Sequence, residues 1–231
     1  FLRNHDELTL EMVTDEERDY MYRAYAEDSQ ARLNLGIRRR LAPLLKNDRR
    51  KIELMNALLL SLPGTPIIYY GDELGMGDNV YLGDRDGVRT PMQWSGERNA
   101  GFSPGEPWLP VDPSYVERNV ARQDRDPDSL LNWYRRLIRM RKERPSLLLG
   151  SYREIEGVPK GVFAYLREYG KERTAVFLNF TSRRVPVKGG AGDLGGGTCK
   201  VLLSTASSRS GEEDPGSIIL EPDEALVLEL N

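Results

Sequence analysis

Three short stretches of this sequence carry side chains able to do chemistry. Asn4-His5-Asp6 sets an imidazole beside a carboxylate, with Glu7 next and the apolar Phe1-Leu2 just before. At the carboxyl end of a barrel strand such a pair projects into the mouth where substrates bind, and the two groups can grip vicinal hydroxyls. The pair equally suits a surface role, capping the helix that follows. Val88-Arg89-Thr90-Pro91-Met92-Gln93-Trp94, joined by Asn99-Ala100-Gly101-Phe102-Ser103, puts an arginine on a proline-stiffened loop beside aromatic rings. Fixed guanidinium donors and an aromatic face suit a sugar; the plainer reading is that Trp94 and Phe102 anchor the loop. Asp78, Asp84 and Asp86 offer oxygens of the kind calcium takes. Their spacing is not that of an EF-hand loop, and Arg85 between two of them favours ion pairing or turn-making.

The elements that position these groups follow from pattern. Thr14-Asp15-Glu16-Glu17 reads as a capping box opening a helix to about Asp28. Arg38-Arg39-Arg40, among inward-packing leucines, reads as a solvated face. From Asp48, the helical spacing of Ile52, Met55, Leu58, Leu59 and Leu62 predicts a helix that Pro63-Gly64 stops. Pro66-Ile67-Ile68-Tyr69-Tyr70 then predicts a strand buried on both faces, ending in Gly71-Asp72-Glu73, where the two carboxylates either touch substrate or tie the rim together. Helix, turn, strand and polar exit describe a unit of a parallel α/β sheet.

Residues 75–128 hold no sustained period and many Gly, Pro, Asp and Asn, which predicts a long ordered loop. Ser129 caps a helix to about Glu143, closed by Arg144-Pro145. Beyond it, Tyr152–Glu156, Val162–Arg167, Thr174–Phe180, Lys200–Leu203, Ile218–Leu220 and Ala225–Leu230 predict a small antiparallel β-sandwich. The glycine-rich tract at 189–197 lacks a following helix and Lys-Ser/Thr, so it reads as a flexible turn and not as a phosphate loop.

Composition removes other classes. One Cys and one His exclude a disulfide framework and a Cys/His zinc cluster. A net charge of −3 argues against nucleic acid. No apolar run approaches the roughly 18 residues that span a bilayer. Without a secretory signal in view, the cytoplasm is the expected location.

Together these stretches resemble the α-amylase superfamily, glycoside hydrolase family 13, whose members are (β/α)8 enzymes acting on α-glucosidic bonds. Phe1-Leu2-Arg3-Asn4-His5-Asp6 looks like its fourth signature region, and residues 64–73 resemble its eighth barrel strand. Arg89-Thr90-Pro91-Met92-Gln93-Trp94 with Asn99-Ala100-Gly101-Phe102 resembles the oligo-1,6-glucosidase and trehalose synthase branch. Asn4–Glu11, Gly75–Asn79 and Tyr81–Gly87 are similar to the members that interconvert maltose and trehalose.

The resemblance implies the C-terminal part of a (β/α)8 TIM barrel over residues 1–148, carrying strands 7 and 8, and a small antiparallel β-sandwich over 149–231. It implies a catalytic Asp6 that holds the 2- and 3-hydroxyls of the reacting glucose, with His5 and Arg89 binding substrate, Arg89 at the non-reducing end of that glucose. The family's Asp nucleophile and Glu acid/base lie in barrel segments outside this sequence. The isolated chain is therefore expected to be inactive and to need the missing N-terminal barrel half as its partner. Expected ligands are maltose, trehalose and glucose; neither nucleic acid nor membrane is expected, and a homo-oligomer is left open. No cofactor is required and no metal site is assigned, with calcium admitted in the intact parent. Two other readings stand beside this one: a hydrolytic α-glucosidase, and a non-catalytic carbohydrate-binding or packing module.

Overall fold

The computed structural model describes residues 1–187, 194–206 and 209–231. It divides into two compact units, residues 1–48 with 67–134, and residues 49–66 with 135–231. In chain order the elements are β1 (Leu8–Thr9), α1 (Asp15–Tyr25), β2 (Arg32–Leu33), β3 (Gly36–Ile37), α2 (Leu41–Leu44) and α3 (Arg49–Ser61), then α4 (Val120–Arg125), α5 (Leu130–Glu143) and α6 (Pro145–Leu149). The remaining strands are β4 (Ser151–Glu154), β5 (Val162–Tyr169), β6 (Glu172–Asn179), β7 (Val185–Pro186), β8 (Cys199–Ser204), β9 (Glu212–Glu213), β10 (Ile219–Leu220) and β11 (Ala225–Leu230).

In the first unit, α1 begins where the sequence places it. The Thr14 hydroxyl accepts from the Glu17 amide, and the Glu17 carboxylate accepts from the Thr14 amide, satisfying two otherwise orphaned donors. The helix ends at Tyr25, short of the expected Asp28, because Asp28 caps a separate 3-10 turn over Ser29–Ala31. A small antiparallel sheet in the order β1-β3-β2 closes over Leu10, Ala26, Ala31 and Ile37. A second cluster of Leu74, Met76, Met92 and Leu131 supports the long loop, which is ordered and broken into 3-10 turns and α4.

Residues 66–70 differ from expectation. They form no strand, and Ile67 is 59% exposed. A buried parallel strand exists only as part of a ladder that satisfies its amides and carbonyls, and among the described residues no strand pairs with this segment.

In the second unit a six-stranded antiparallel sheet runs in the order β4-β5-β6-β11-β8-β9. One face of its central strands presents Ala164, Leu166, Ala175, Phe177, Leu226 and Leu228, which pack with Val187, Ile218 and Leu220 from the β7/β10 pair and its flanks. The period-2 alternation seen in the sequence thus becomes one buried face. The strands are antiparallel as expected, distributed six to two. On the other face Tyr165 hydrogen-bonds Ser61 at 2.6 Å, and Arg167 donates to the Ser61 carbonyl at 2.6 Å. Arg141 donates to the carbonyls of Leu60, Leu62 and Gly64, so two guanidinium groups meet the negative end of α3. Arg144-Pro145 ends α5 and at once starts α6, with Pro145 in its first turn, where a missing amide costs nothing. Most of the glycine-rich tract lies outside the described residues.

Candidate functional site

The Asn4-His5-Asp6 segment is held from beneath by Arg3. Its buried guanidinium donates to the Ile37 carbonyl at 2.7 Å and to the Arg39 carbonyl, and burial, opposed by Asp72 and Asp78, lowers its pKa to about 10. Within the segment, the Asp6 amide donates to Asn4 Oδ1 at 2.9 Å and the Glu7 amide to Asp6 Oδ1 at 2.9 Å. Arg85 reaches across the chain and donates from Nε to Asp6 Oδ1 at 2.6 Å. Its other nitrogens pair with Glu7 Oε2 at 2.9 Å and Asp84 Oδ1 at 2.6 Å. Hydrogen bonding to Glu7 and then to Arg85 holds the Asp6 carboxyl far below the ordinary carboxylate range. Asp6 is therefore ionised at any neutral pH, while its side chain stays 41% exposed and open to a ligand.

Arg85 owes its place to Arg38. The Arg38 guanidinium donates to the carbonyls of Val80 and Leu82, each at 2.6 Å, and of Asp84, pinning the loop that carries Arg85. The expected solvated face at Arg38-Arg39-Arg40 is thus corrected: Arg38 and Arg40 are buried, and Arg39 pairs with the buried Asp78 at 2.9 Å. Each guanidinium offers five donors in a rigid fork, enough to tie together loop carbonyls that have no secondary-structure partner.

Arg89 sits between two tyrosine ties. The Tyr69 hydroxyl donates to the Val88 carbonyl at 2.9 Å and the Tyr70 hydroxyl to the Thr90 carbonyl at 2.7 Å. Arg40 lies over both rings at 4.7 Å and donates to the Tyr70 carbonyl at 2.6 Å. Arg89 Nε donates to the His5 backbone carbonyl at 3.0 Å. Beside this cluster Asp72 is buried 3.8 Å from Arg40, and burial, only partly offset by Arg40, raises its pKa to about 7.

Of the three residues expected from sequence, His5 and Asp6 are neighbours and Arg89 joins them through the His5 main chain. The residue that reaches Asp6 is Arg85, for which the sequence favours ion pairing or turn-making: it pairs with Asp84 beside it and also with the distant Asp6 and Glu7. Trp94 and Phe102 are both half-exposed, while Ala100 and Met92 of the same loop are buried. Asp78 and Asp84 are engaged by Arg39 and Arg85, and among the described residues no three His, Cys, Asp or Glu are grouped to hold a metal ion. No helix among the described residues is long and apolar enough to cross a membrane.

The family described as the catalytic domain of alpha amylase matches residues 15–150, and the chain belongs to it. Within that family it is 57% identical over 180 residues to the trehalose synthase/amylase TreS of Mycolicibacterium smegmatis, covering 75% of this chain and 30% of that protein. It is 53% identical over 189 residues to a trehalose synthase of Thermus thermophilus, covering 78% of this chain and 20% of the relative. An oligo-1,6-glucosidase of Bacillus cereus is 30% identical over 212 residues, 77% of this chain and 38% of the relative. Among solved structures, the trehalulose synthase MutB of Pseudomonas mesoacidophila MX-45 superposes with a TM-score of 0.70 at 30% identity, over 84% of this chain and 41% of that one. The chain spans less than a third of the length of the trehalose synthases it matches.

Proposed function

We propose that this chain is the part of a retaining glucosyl-transferring enzyme that binds and stabilises the reacting glucose, and that the intact enzyme interconverts maltose and trehalose. The observation that carries the reading is the Arg85-locked Asp6. A general acid needs a raised pKa and Asp6 is held the other way, which agrees with the non-acid role that the family resemblance implies for it. Such a group holds the 2- and 3-hydroxyls and steadies the positive charge of an oxocarbenium-like ring. His5 donates to the same hydroxyls, and Arg89 clamps the non-reducing end.

The nucleophile and acid/base belong to the rest of the parent, which also supplies the strands that residues 67–70 lack. That is why the isolated chain is expected to be inactive. Isomerisation requires the released glucose to stay enclosed, turn, and attack through its anomeric hydroxyl before water does. The identity to trehalose synthases, well above that to the oligo-1,6-glucosidase, supports transfer over hydrolysis. The test is to incubate the full-length protein carrying this chain with maltose and follow trehalose against glucose. Trehalose should dominate, and Asp6→Asn should lower turnover by at least about 100-fold. Dominant glucose release would replace isomerase by glucosidase, and unchanged turnover in D6N would remove Asp6 from the mechanism.

A further inference from the structure

Arg89 takes its main-chain position from two side chains of a different segment. The Tyr69 hydroxyl donates to the Val88 carbonyl at 2.9 Å and the Tyr70 hydroxyl to the Thr90 carbonyl at 2.7 Å, so the residues before and after Arg89 are each tied down. Residues 89–95 belong to no helix or strand, and these side-chain bonds stand where a ladder would otherwise fix the backbone. Val88 and Thr90 are buried, whereas Arg89 is only half-buried. Arg89 spends its Nε on the His5 carbonyl at 3.0 Å, which leaves its two terminal nitrogens for a ligand.

The two rings are themselves held by an arrangement that stability alone would not favour. Arg40 is fully buried with its guanidinium 4.7 Å from both ring centroids, and it donates to the Tyr70 carbonyl at 2.6 Å. Burying a guanidinium is unfavourable unless its donors are paired. Among the described residues Arg40 Nε and Nη2 have no hydrogen-bond partner, and Asp72 Oδ1 stands 3.8 Å from Nη1. What this cation does instead is face two tyrosine rings. The rings meet edge to face, with centroids 4.8 Å apart and planes at 66°, so neither turns without moving the other. The chain just after them has no slack: Gly71 has a φ of 85°, and a Cβ there would stand 2.3 Å from Met76 Sδ and 3.2 Å from Arg40 Nη1.

We propose that Tyr69 and Tyr70 are positioning residues for Arg89. Acting through the carbonyls on either side of it, their hydroxyls set the direction in which the guanidinium meets the glucose held at Asp6. The inference rests on the reading of Arg89 as the clamp on that glucose, and it adds two side chains whose effect is exerted through Arg89 and not on the sugar. Misplacing a substrate-holding group by about 1 Å can cost about 100-fold in rate, so a clamp on an irregular loop depends on what fixes the loop.

The experiment is a double-mutant cycle on the full-length protein carrying this chain, reading kcat/KM for maltose. Tyr69→Phe and Tyr70→Phe are made singly and together, with Arg89 present and in an Arg89→Ala background. Phenylalanine keeps each ring against Arg40 and removes only the hydroxyl. With Arg89 present, each substitution should lower kcat/KM about 2- to 10-fold, the range expected for one hydrogen bond. In the R89A background each should change it by less than about 2-fold, because the group being aimed is gone. Equal losses in the two backgrounds overturn the proposal, since the tyrosines would then act on the fold at large or on the sugar directly. An unchanged kcat/KM in the Y69F/Y70F double variant with Arg89 present overturns it too. Full kcat/KM in R89A alone removes the clamp reading itself and the positioning role with it, so the two failures are told apart.

Discussion

Replacing Asp72 by Asn should abolish a loss of stability that the chain otherwise suffers between mildly acidic and mildly alkaline pH. The carboxyl is 5% exposed, and its pKa rises from 3.8 to about 7 because burial disfavours the charged form more than Arg40 and Arg3 favour it, with Glu73 adding to the rise. A folded-state pKa above the unfolded one means that the folded chain keeps a proton the unfolded chain has lost. Stability from this group is then fully present below the unfolded pKa and declines as pH rises to about 7. At about 1.4 kcal/mol per unit, the full shift of roughly three units is worth about 4 kcal/mol, of which about 3 kcal/mol falls between pH 5 and pH 8. Asp6, Asp28 and Asp84 are shifted downward and titrate below this window, while the upward shifts of Glu53 and Glu73 add the same sign as Asp72. The assay is urea unfolding at pH 5 and pH 8, read by tryptophan emission, since Trp94, Trp108 and Trp133 all belong to the first unit. The parent chain should be less stable at pH 8 by about 3 kcal/mol, and D72N should lose most of that difference because a neutral amide mimics the protonated carboxyl. A D72N chain that keeps the whole difference would refute the reasoning.

Two further outcomes follow from packing. A Cβ on Gly87 would lie 2.1 Å from the Asn79 carbonyl oxygen, so Gly87→Ala should cost about 1–3 kcal/mol and displace the turn between Arg85 and Arg89, lowering turnover of the full-length enzyme. Gly83→Ala, which meets nothing within 4 Å, should do neither. Phe177 is fully buried in the sheet of the second unit, so Phe177→Ala should cost about 3–5 kcal/mol by chemical unfolding followed with circular dichroism; a loss below 1 kcal/mol would mean that the cluster collapses to fill the gap.

Much of the scaffold was legible because it rests on local rules. A hydroxyl three residues before a carboxylate located the start of α1, a 3.6 period delimited α3 and α5, and a period of 2 located β5, β6, β8 and β11. The Asn4-His5-Asp6 motif, too, could be read directly, since the residue types and their adjacency are properties of the chain. The tertiary structure decided the rest, because the outcome depended on partners distant in sequence. Ile67–Tyr70 has the composition of a buried strand, yet strand formation needs a neighbour's amides and carbonyls, which no periodicity contains. The charge of Arg38 and Arg40 suggested solvent, and only the fold reveals loop carbonyls 30 to 46 residues away that satisfy them in the interior. Pairing of Arg85 with Asp6 spans 79 residues. Sequence alone thus pointed to the family and to the groups proposed to carry its chemistry. Tertiary structure determined which arginine pairs with the Asp6 carboxylate, because an ion pair depends on distance in space.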